Sequence, residues 1–272
     1  MTRSPFIPSA GAALAAMIGS PIAHAHLPAT FNRRFAEEGI DALMVPFDVE
    51  PGALGAFFAA MRGWSNCRGC VVTAPHKAAT ADHLDVVSNR ARLVGAVNVV
   101  IRDSDGRLVG DNVDGSGFVA GMRCSGFDPA GLRVALFGCG GAGSAIALAL
   151  AESGAHCIRL VDADAARAER LKATLAVHHC VALEIGVPAS LARFDAVINA
   201  TAVGLDGESM VHPLDTVRPD ALVADVLSTS KPTPWLRTGR EMGCVTQSGA
   251  AMAEGQFAPI AERFGFELDL RR

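Results

Sequence analysis

Apolar residues along this chain fall into short uninterrupted runs of strand length, separated by stretches in which they recur every three or four positions. In the first half, runs at 15–18, 42–46, 69–73 and 97–101 predict strands, and the segments 28–38, 51–61, 76–84 and 86–94 predict helices. Asp103-Ser104-Asp105-Gly106 predicts a hairpin turn joining 97–101 to a further strand at 107–110. The second half alternates more regularly. Strands are predicted at 133–137, 157–161, 181–185, 195–199 and 221–226, with a small-residue helix at 142–153 and helical or loop segments between the others. Such alternation implies an α/β fold with a parallel sheet and right-handed crossovers.

The 272 residues suffice for one large domain or two modest ones. Hydrophobic residues at 50% and charged residues at 19% supply a real core and too little charge for disorder. A net charge of −4 lacks the basic excess of a nucleic-acid-binding surface. Seven cysteines, an odd number without the rhythm of a disulfide framework, fit a reducing cytoplasm. One C-x-x-C occurs, Cys67-Arg68-Gly69-Cys70, with no second pair at zinc-ribbon spacing. A zinc site would need distant ligands such as His178, His179 and Cys180, so no metal is expected. Near the N-terminus Arg3, the apolar run 10–19 and Ala23-His24-Ala25 resemble a signal peptide, but Pro5, Pro8 and Gly11 interrupt it. It also ends in Ile18-Gly19-Ser20-Pro21, a strand-to-loop signal, and no stretch of 18 apolar residues exists. The expectation is a soluble cytoplasmic protein with neither nucleic acid nor membrane as partner, as monomer or homodimer.

Gly138-Cys139-Gly140-Gly141-Ala142-Gly143 satisfies G-x-G-x-x-G directly after a predicted strand and at the start of a predicted helix. Gly138 permits the tight turn, Gly140 lets main chain approach a pyrophosphate, and Gly143 allows close helix–strand packing. The N–H groups and positive dipole end of the helix then favour phosphates. A tight turn without a ligand would have the same sequence. Asp162 ends the next strand, 24 residues after Gly138, where an acid can bind a ribose 2′-hydroxyl and repel a 2′-phosphate. Arg159 and Arg167 are the nearby cations. NAD is therefore expected in preference to NADP.

Further motifs carry a resemblance. Ile18-Gly19-Ser20-Pro21-Ile22-Ala23-His24, Val72-Thr73-Ala74-Pro75-His76-Lys77 and Gly95-Ala96-Val97-Asn98 occur in that order. They are followed by Gly110-Asp111-Asn112-Val113-Asp114-Gly115-Ser116-Gly117, Asn199-Ala200-Thr201-Ala202-Val203-Gly204 and Gln256. With the glycine turn, they resemble the shikimate/quinate dehydrogenase family over residues 18–257. The resemblance implies a substrate domain (1–113 plus 252–272), a Rossmann-type dinucleotide domain (114–251) and an active-site cleft between them. It further implies Lys77 and Asp114 as the catalytic pair, and Thr73, Asn98 and Gln256 at the substrate. Gly138, Gly140, Gly141, Ala142, Gly143, Asp162, Asn199, Thr201, Ala202 and Gly249 would contact the cofactor.

The chemistry is consistent with this assignment. Oxidising a secondary alcohol moves a hydride to a nicotinamide and a proton to a nearby side chain, for which a lysine is suited when desolvation lowers its pKa. Carboxamides offer donors and acceptors to a substrate with several hydroxyls, such as a polyol or cyclitol. Singly, each residue has a plainer reading: Lys77 as a solvated lysine, Asp114 as a turn or cap residue, Asn98 as a satisfied core amide, His24 and His26 as loop or packing residues. Two departures stand out. The hydroxyl pair that in this family holds the substrate carboxylate is replaced by Ala25 and Leu27, and Ser228 occupies a position often held by tyrosine. Other readings are a non-catalytic NAD-binding regulatory module and a two-domain dehydrogenase for a different small substrate, such as a folate or an amino acid.

Overall fold

A computed structural model describes residues 7–23 and 25–268, apart from the side chain of His178; Arg3, Pro5 and His24 lie outside the described residues. The chain divides into two compact units, Met1–Val113 with Phe257–Arg272, and Asp114–Gln256.

In the first unit, β1 (Ala13–Gly19), β2 (Ala42–Asp48) and β3 (Cys67–Val72) run parallel with β1 in the centre. Alternate residues of β1 enter opposite cores. Ala15 and Met17 pack with Phe31, Phe35 and Ile260, whereas Ala16 and Ile18 pack with Leu54, Phe58 and Met61. Burial on both faces is why these strands read as unbroken apolar runs. The hairpin expected at Asp103–Gly106 is present and makes this sheet mixed. The Asp103–Gly106 turn reverses the chain, so β6 (Leu108–Asp111) runs antiparallel to β5 (Val99–Arg102), and β5 in turn runs antiparallel to β3.

Two predicted helices also differ. Segment 86–94 splits into β4 (Val86–Val87) and α3 (Asn89–Val94), because the Ser88 hydroxyl caps Ala91 N–H at 3.1 Å and starts the helix there. Segment 76–84 is a turn followed by a short 3-10 segment, Ala79–His83, in which the Thr80 hydroxyl bonds back to the His76 carbonyl at 3.0 Å. The helices α1 (Leu27–Glu38), α2 (Leu54–Arg62) and the returning α9 (Phe257–Arg263) cover the sheet.

The second unit is a parallel sheet in the order β12-β11-β10-β7-β8-β9: Val245–Gln247, Leu222–Asp225, Ala196–Asn199, Arg133–Phe137, Cys157–Val161 and Ala182–Ile185. The strand order reverses between β7 and β10, the doubly wound arrangement in which ligands bind at the switch point. Helix α7 (Pro234–Glu241) precedes β12, and three helices of this unit bear on the site, α4 (Asp114–Cys124), α5 (Gly141–Glu152) and α8 (Gly249–Gly255).

The expected domain boundary at 251/252 moves to 256/257. A Cβ on Gly255 would lie 2.1 Å from the Gly117 carbonyl oxygen, so α8 is seated against α4 through its last residue and belongs to the second unit. The return into the first unit begins at Phe257, whose ring lies 4.4 Å from that of Phe31. It continues to Phe264, which sits where a side chain on Gly69 would have to be, 2.3 Å from its ideal Cβ.

Candidate active site

In the first unit, Thr73 and Lys77 stand in the turn that leaves β3. Thr73 N–H donates to the Ile18 carbonyl at 2.9 Å, and the Thr73 carbonyl accepts from His76 N–H at 3.0 Å. Gly19 admits this turn, since a Cβ there would meet Thr73 Cγ2 at 2.5 Å. The buried His76 anchors the segment, with Nε2 2.6 Å from the Val49 carbonyl oxygen. Lys77 is half-buried, and its carbonyl accepts from Val97 N–H at 2.8 Å, next to Asn98. Asn98 is 1% exposed, and its Oδ1 accepts from Val113 N–H at 2.8 Å. The structure therefore gathers Thr73, Lys77 and Asn98 on adjoining segments at the ends of β3 and β5.

In the second unit, Asp114 opens α4 at 3% exposure, and its Oδ1 accepts a hydrogen bond from Gln256 Nε2 at 3.1 Å. The glycines of α4 make this approach possible. A Cβ on Gly117 would fall 2.4 Å from Gln256 Cγ, and one on Gly115 would fall 2.0 Å from the Ala145 carbonyl oxygen.

The glycine turn lies between β7 and α5. Gly138 has φ +101°, and its N–H donates to the Val161 carbonyl at 2.7 Å. Gly143 is in contact with that turn, with its ideal Cβ 1.8 Å from the Gly138 carbonyl oxygen. Around Gly140 and Gly141, in contrast, a Cβ would meet nothing within 4 Å. Gly140 is the N-cap of α5 and offers no side-chain cap, so the first N–H groups of the helix face open space. This cradle fits the phosphates of a dinucleotide, which would be held by main-chain N–H groups and the helix dipole. Burial and the nearby Asp162 charge push the Cys139 thiol up to about 12, so no thiolate opposes those phosphates.

Asp162 has a role that its sequence position does not reveal. Its Oδ2 accepts from Cys139 N–H at 2.7 Å and its Oδ1 from Asp164 N–H at 2.9 Å. The acid thus braces the glycine turn and the start of α6 (Ala165–His178), where Arg167 and Arg170 lie 3.5 and 3.9 Å from Asp164.

Asn199 is fully buried at the end of β10 and shapes the loop that follows. Its Oδ1 accepts from Thr201 N–H (3.0 Å) and Thr201 Oγ1 (2.7 Å), and its Nδ2 donates to the Val203 carbonyl (3.0 Å). Ala202, within that loop, is exposed. Gly249 is required by a different contact, since a Cβ there would meet the Val226 carbonyl oxygen at 2.3 Å. Asp225, at the end of β11, is a buried acid that sequence reasoning did not single out, and it organises the loop that follows. Burial pushes its carboxyl up, against the lowering effect of hydrogen bonds from Leu227 N–H and the Thr233 hydroxyl. The sequence signal for it is an acid closing an otherwise apolar strand.

A family model described as the shikimate dehydrogenase substrate binding domain matches residues 17–100. The chain is 35% identical over 254 residues to the shikimate dehydrogenase (NADP(+)) of Cereibacter sphaeroides, covering 92% of this chain and 91% of that one. The ligand-free 5-ketofructose reductase of Gluconobacter sp. strain CHM43 superposes with a TM-score of 0.86 at 33% identity, covering 95% of each chain. The shikimate 5-dehydrogenase of Listeria monocytogenes, solved in complex with shikimate and NAD, superposes with a TM-score of 0.88 at 29% identity, covering 97% of this chain and 96% of that one. The expected preference for NAD is overturned, because the relatives from Cereibacter sphaeroides, Moorella thermoacetica and Rhodospirillum rubrum are all named for NADP(+). The physical reason lies in Asp162: an acid that braces main chain does not by its presence select an unphosphorylated ribose. With relatives matched across nine-tenths of its length and the same two-unit α/β architecture, this chain belongs to the shikimate dehydrogenase family.

Proposed function

We propose that the chain catalyses reversible, NADP(H)-linked oxidoreduction of a secondary hydroxyl on shikimate, quinate or a related polyol, and that uncharged polyols are its better substrates. The observation that carries the chemistry is a buried carboxylate, Asp114, held by Gln256 in the same unit as a glycine turn open to phosphates. When bound, the nicotinamide supplies the hydride acceptor and donor. Lys77 takes the hydroxyl proton as the alcohol becomes a ketone and returns it in the reverse direction, with Asp114 as the acid that works with it. Thr73, Asn98 and Gln256 bind substrate hydroxyls.

The substrate preference rests on Ala25 and Leu27. Both pack against the apolar cluster around Phe31 and Ile260, and neither side chain has a donor. Hydrogen bonds to a charged group contribute roughly 1.5–3 kcal/mol each, so a carboxylate lacking two of them binds about a hundredfold more weakly or worse. The likeness to a reductase named for 5-ketofructose supports an uncharged substrate.

Turnover of shikimate, quinate, neutral cyclitols and 5-ketofructose with NADP(H) tests the proposal. Faster turnover of an uncharged member is expected. No turnover of any member by protein that binds NADPH refutes the substrate class. Lys77→Ala should lower kcat by roughly 10²–10⁴-fold with NADPH affinity unchanged, and an unaltered kcat removes Lys77 from the mechanism.

A further inference from the structure

Helix α8 is flanked by two glutamines, and both reach α4. Gln256, at its C-terminal end, donates to Asp114 Oδ1 at 3.1 Å. Gln247, the last residue of β12 and just before the Ser248 N-cap, donates through Nε2 to the Phe118 carbonyl at 3.0 Å. Phe118 is one helical turn beyond Asp114. Gly121 makes room for the carboxamide, because a Cβ there would lie 2.8 Å from Gln247 Nε2.

Helix α4 buries Phe118, Val119 and Met122, but it meets α5 and α8 through glycines. Gly115 faces the α5 backbone, and Gly117 faces the α8 backbone and Gln256. Glycine-lined contacts fix how closely helices approach, but they supply few interlocking side chains to resist sliding along the axis. Along those two contacts, a hydrogen bond from a strand end to a helix carbonyl adds a directional restraint on axial position. Gln247 is 1% exposed, and its Oε1 is one of the buried side-chain atoms without a hydrogen-bond partner among the described residues. An unsatisfied buried acceptor opposes stability, so its presence calls for a reason other than stability.

We propose that Gln247 is a positioning residue, whose carboxamide sets the axial placement of α4 and thereby the aim of the Asp114 carboxylate. The inference rests on the reading of Asp114 as part of the catalytic pair.

The test compares Asp114→Ala, Gln247→Leu and the double variant, all as full-length protein with NADPH and the best substrate of the panel. Gln247→Leu should lower kcat roughly tenfold to a hundredfold, the scale expected when a reacting group is misplaced by about an ångström. Its Tm should equal or exceed that of the parent, and NADPH affinity should be unchanged. In the Asp114→Ala background the same substitution should have no further effect on kcat. Should Gln247→Leu fail to fold, Gln247→Met, of similar length and equally without a donor, carries the same expectations, and failure of both overturns the proposal in favour of a purely structural role. A normal kcat in Gln247→Leu, or an additive loss in the double variant, also overturns it while leaving the role of Asp114 intact. An unchanged kcat in Asp114→Ala refutes the underlying reading and the inference with it.

Discussion

Two glycines three positions apart in one turn should respond to the same substitution in opposite ways. At Gly140, φ is −76° and ψ −164°, a conformation open to alanine, and no atom lies within 4 Å of the added Cβ. Gly→Ala at a compatible site stabilises by about 0.4–1 kcal/mol through the unfolded chain, which for a protein of this size raises Tm by a few degrees. Gly143→Ala places a methyl 1.8 Å from the Gly138 carbonyl oxygen. Since carbon–oxygen contact needs roughly 3.2–3.5 Å, α5 must withdraw from the turn, at an overpacking cost of about 1–3 kcal/mol. Binding inverts the ranking for Gly140. If phosphates meet the first N–H groups of α5 as proposed, a methyl at the N-cap would stand in their way, and losing one charge-assisted hydrogen bond at roughly 1.5–3 kcal/mol would weaken NADPH binding about tenfold to a hundredfold.

Thermal unfolding of the ligand-free proteins and titration of NADPH fluorescence separate the two effects. The expected result is a Gly140→Ala protein at least as stable as its parent and poor in cofactor binding, and a Gly143→Ala protein that melts lower. Parent-like NADPH affinity in Gly140→Ala would mean that the phosphates do not cross this turn. Parent-like stability in Gly143→Ala would refute the close helix contact.

Asn32 clamps the exposed edge of β2, with Nδ2 donating to the Met44 carbonyl at 2.9 Å and Oδ1 accepting from Met44 N–H at 2.7 Å. Asn32→Ala should cost about 1–2 kcal/mol in chemical denaturation and expose a strand edge, and an unchanged midpoint would show that solvent replaces the clamp without penalty. Asp111 is opposed by burial, but hydrogen bonds from Ser88 and Arg263 outweigh it and hold the carboxyl below its ordinary value of 3.8. A depressed native pKa contributes stability above about pH 4 that is lost as the pH falls through the native value, so Asp111→Asn should flatten the acid limb of the stability profile and leave the slope from about pH 5 to 8 unchanged. An acid limb as steep as the parent's would refute this assignment.

How much is legible in the sequence follows from where the physical constraint is local. Strands β1, β3, β7 and β8 are buried on both faces, so composition alone marks them. The glycine turn is readable because its sterics demand glycine at Gly138 and Gly143. Helix α4 is not. Gly115, Gly117 and Gly121 depress helix propensity, and the helix exists because α5 and α8 approach too closely for side chains. Asp162 misleads for a related reason: an acid at a strand end has one sequence signature whether it faces a ribose or a main-chain N–H.

The carboxamides sharpen that lesson. Amides suit a polyol because they both donate and accept, yet most of those in this chain serve as substitutes for main chain. Asn32 pairs with Met44, Asn98 with Val113, Asn112 with the Ala96 carbonyl, Asn199 with Thr201 and Val203, and Gln247 with Phe118. Gln256 differs, because it donates to a buried carboxylate. That bond has a direction, and the direction can be tested. Gln256→Glu keeps the shape but replaces the donor with a second carboxylate about 3.1 Å from Asp114 Oδ1, so repulsion replaces attraction. Gln256→Leu removes the donor without adding charge. If the amide serves to hold Asp114 in place, the glutamate variant loses more kcat at neutral pH than the leucine variant and regains part of it as the pH is lowered. A glutamate variant more active than the leucine variant at neutral pH would show that Gln256 is retained for some other contact.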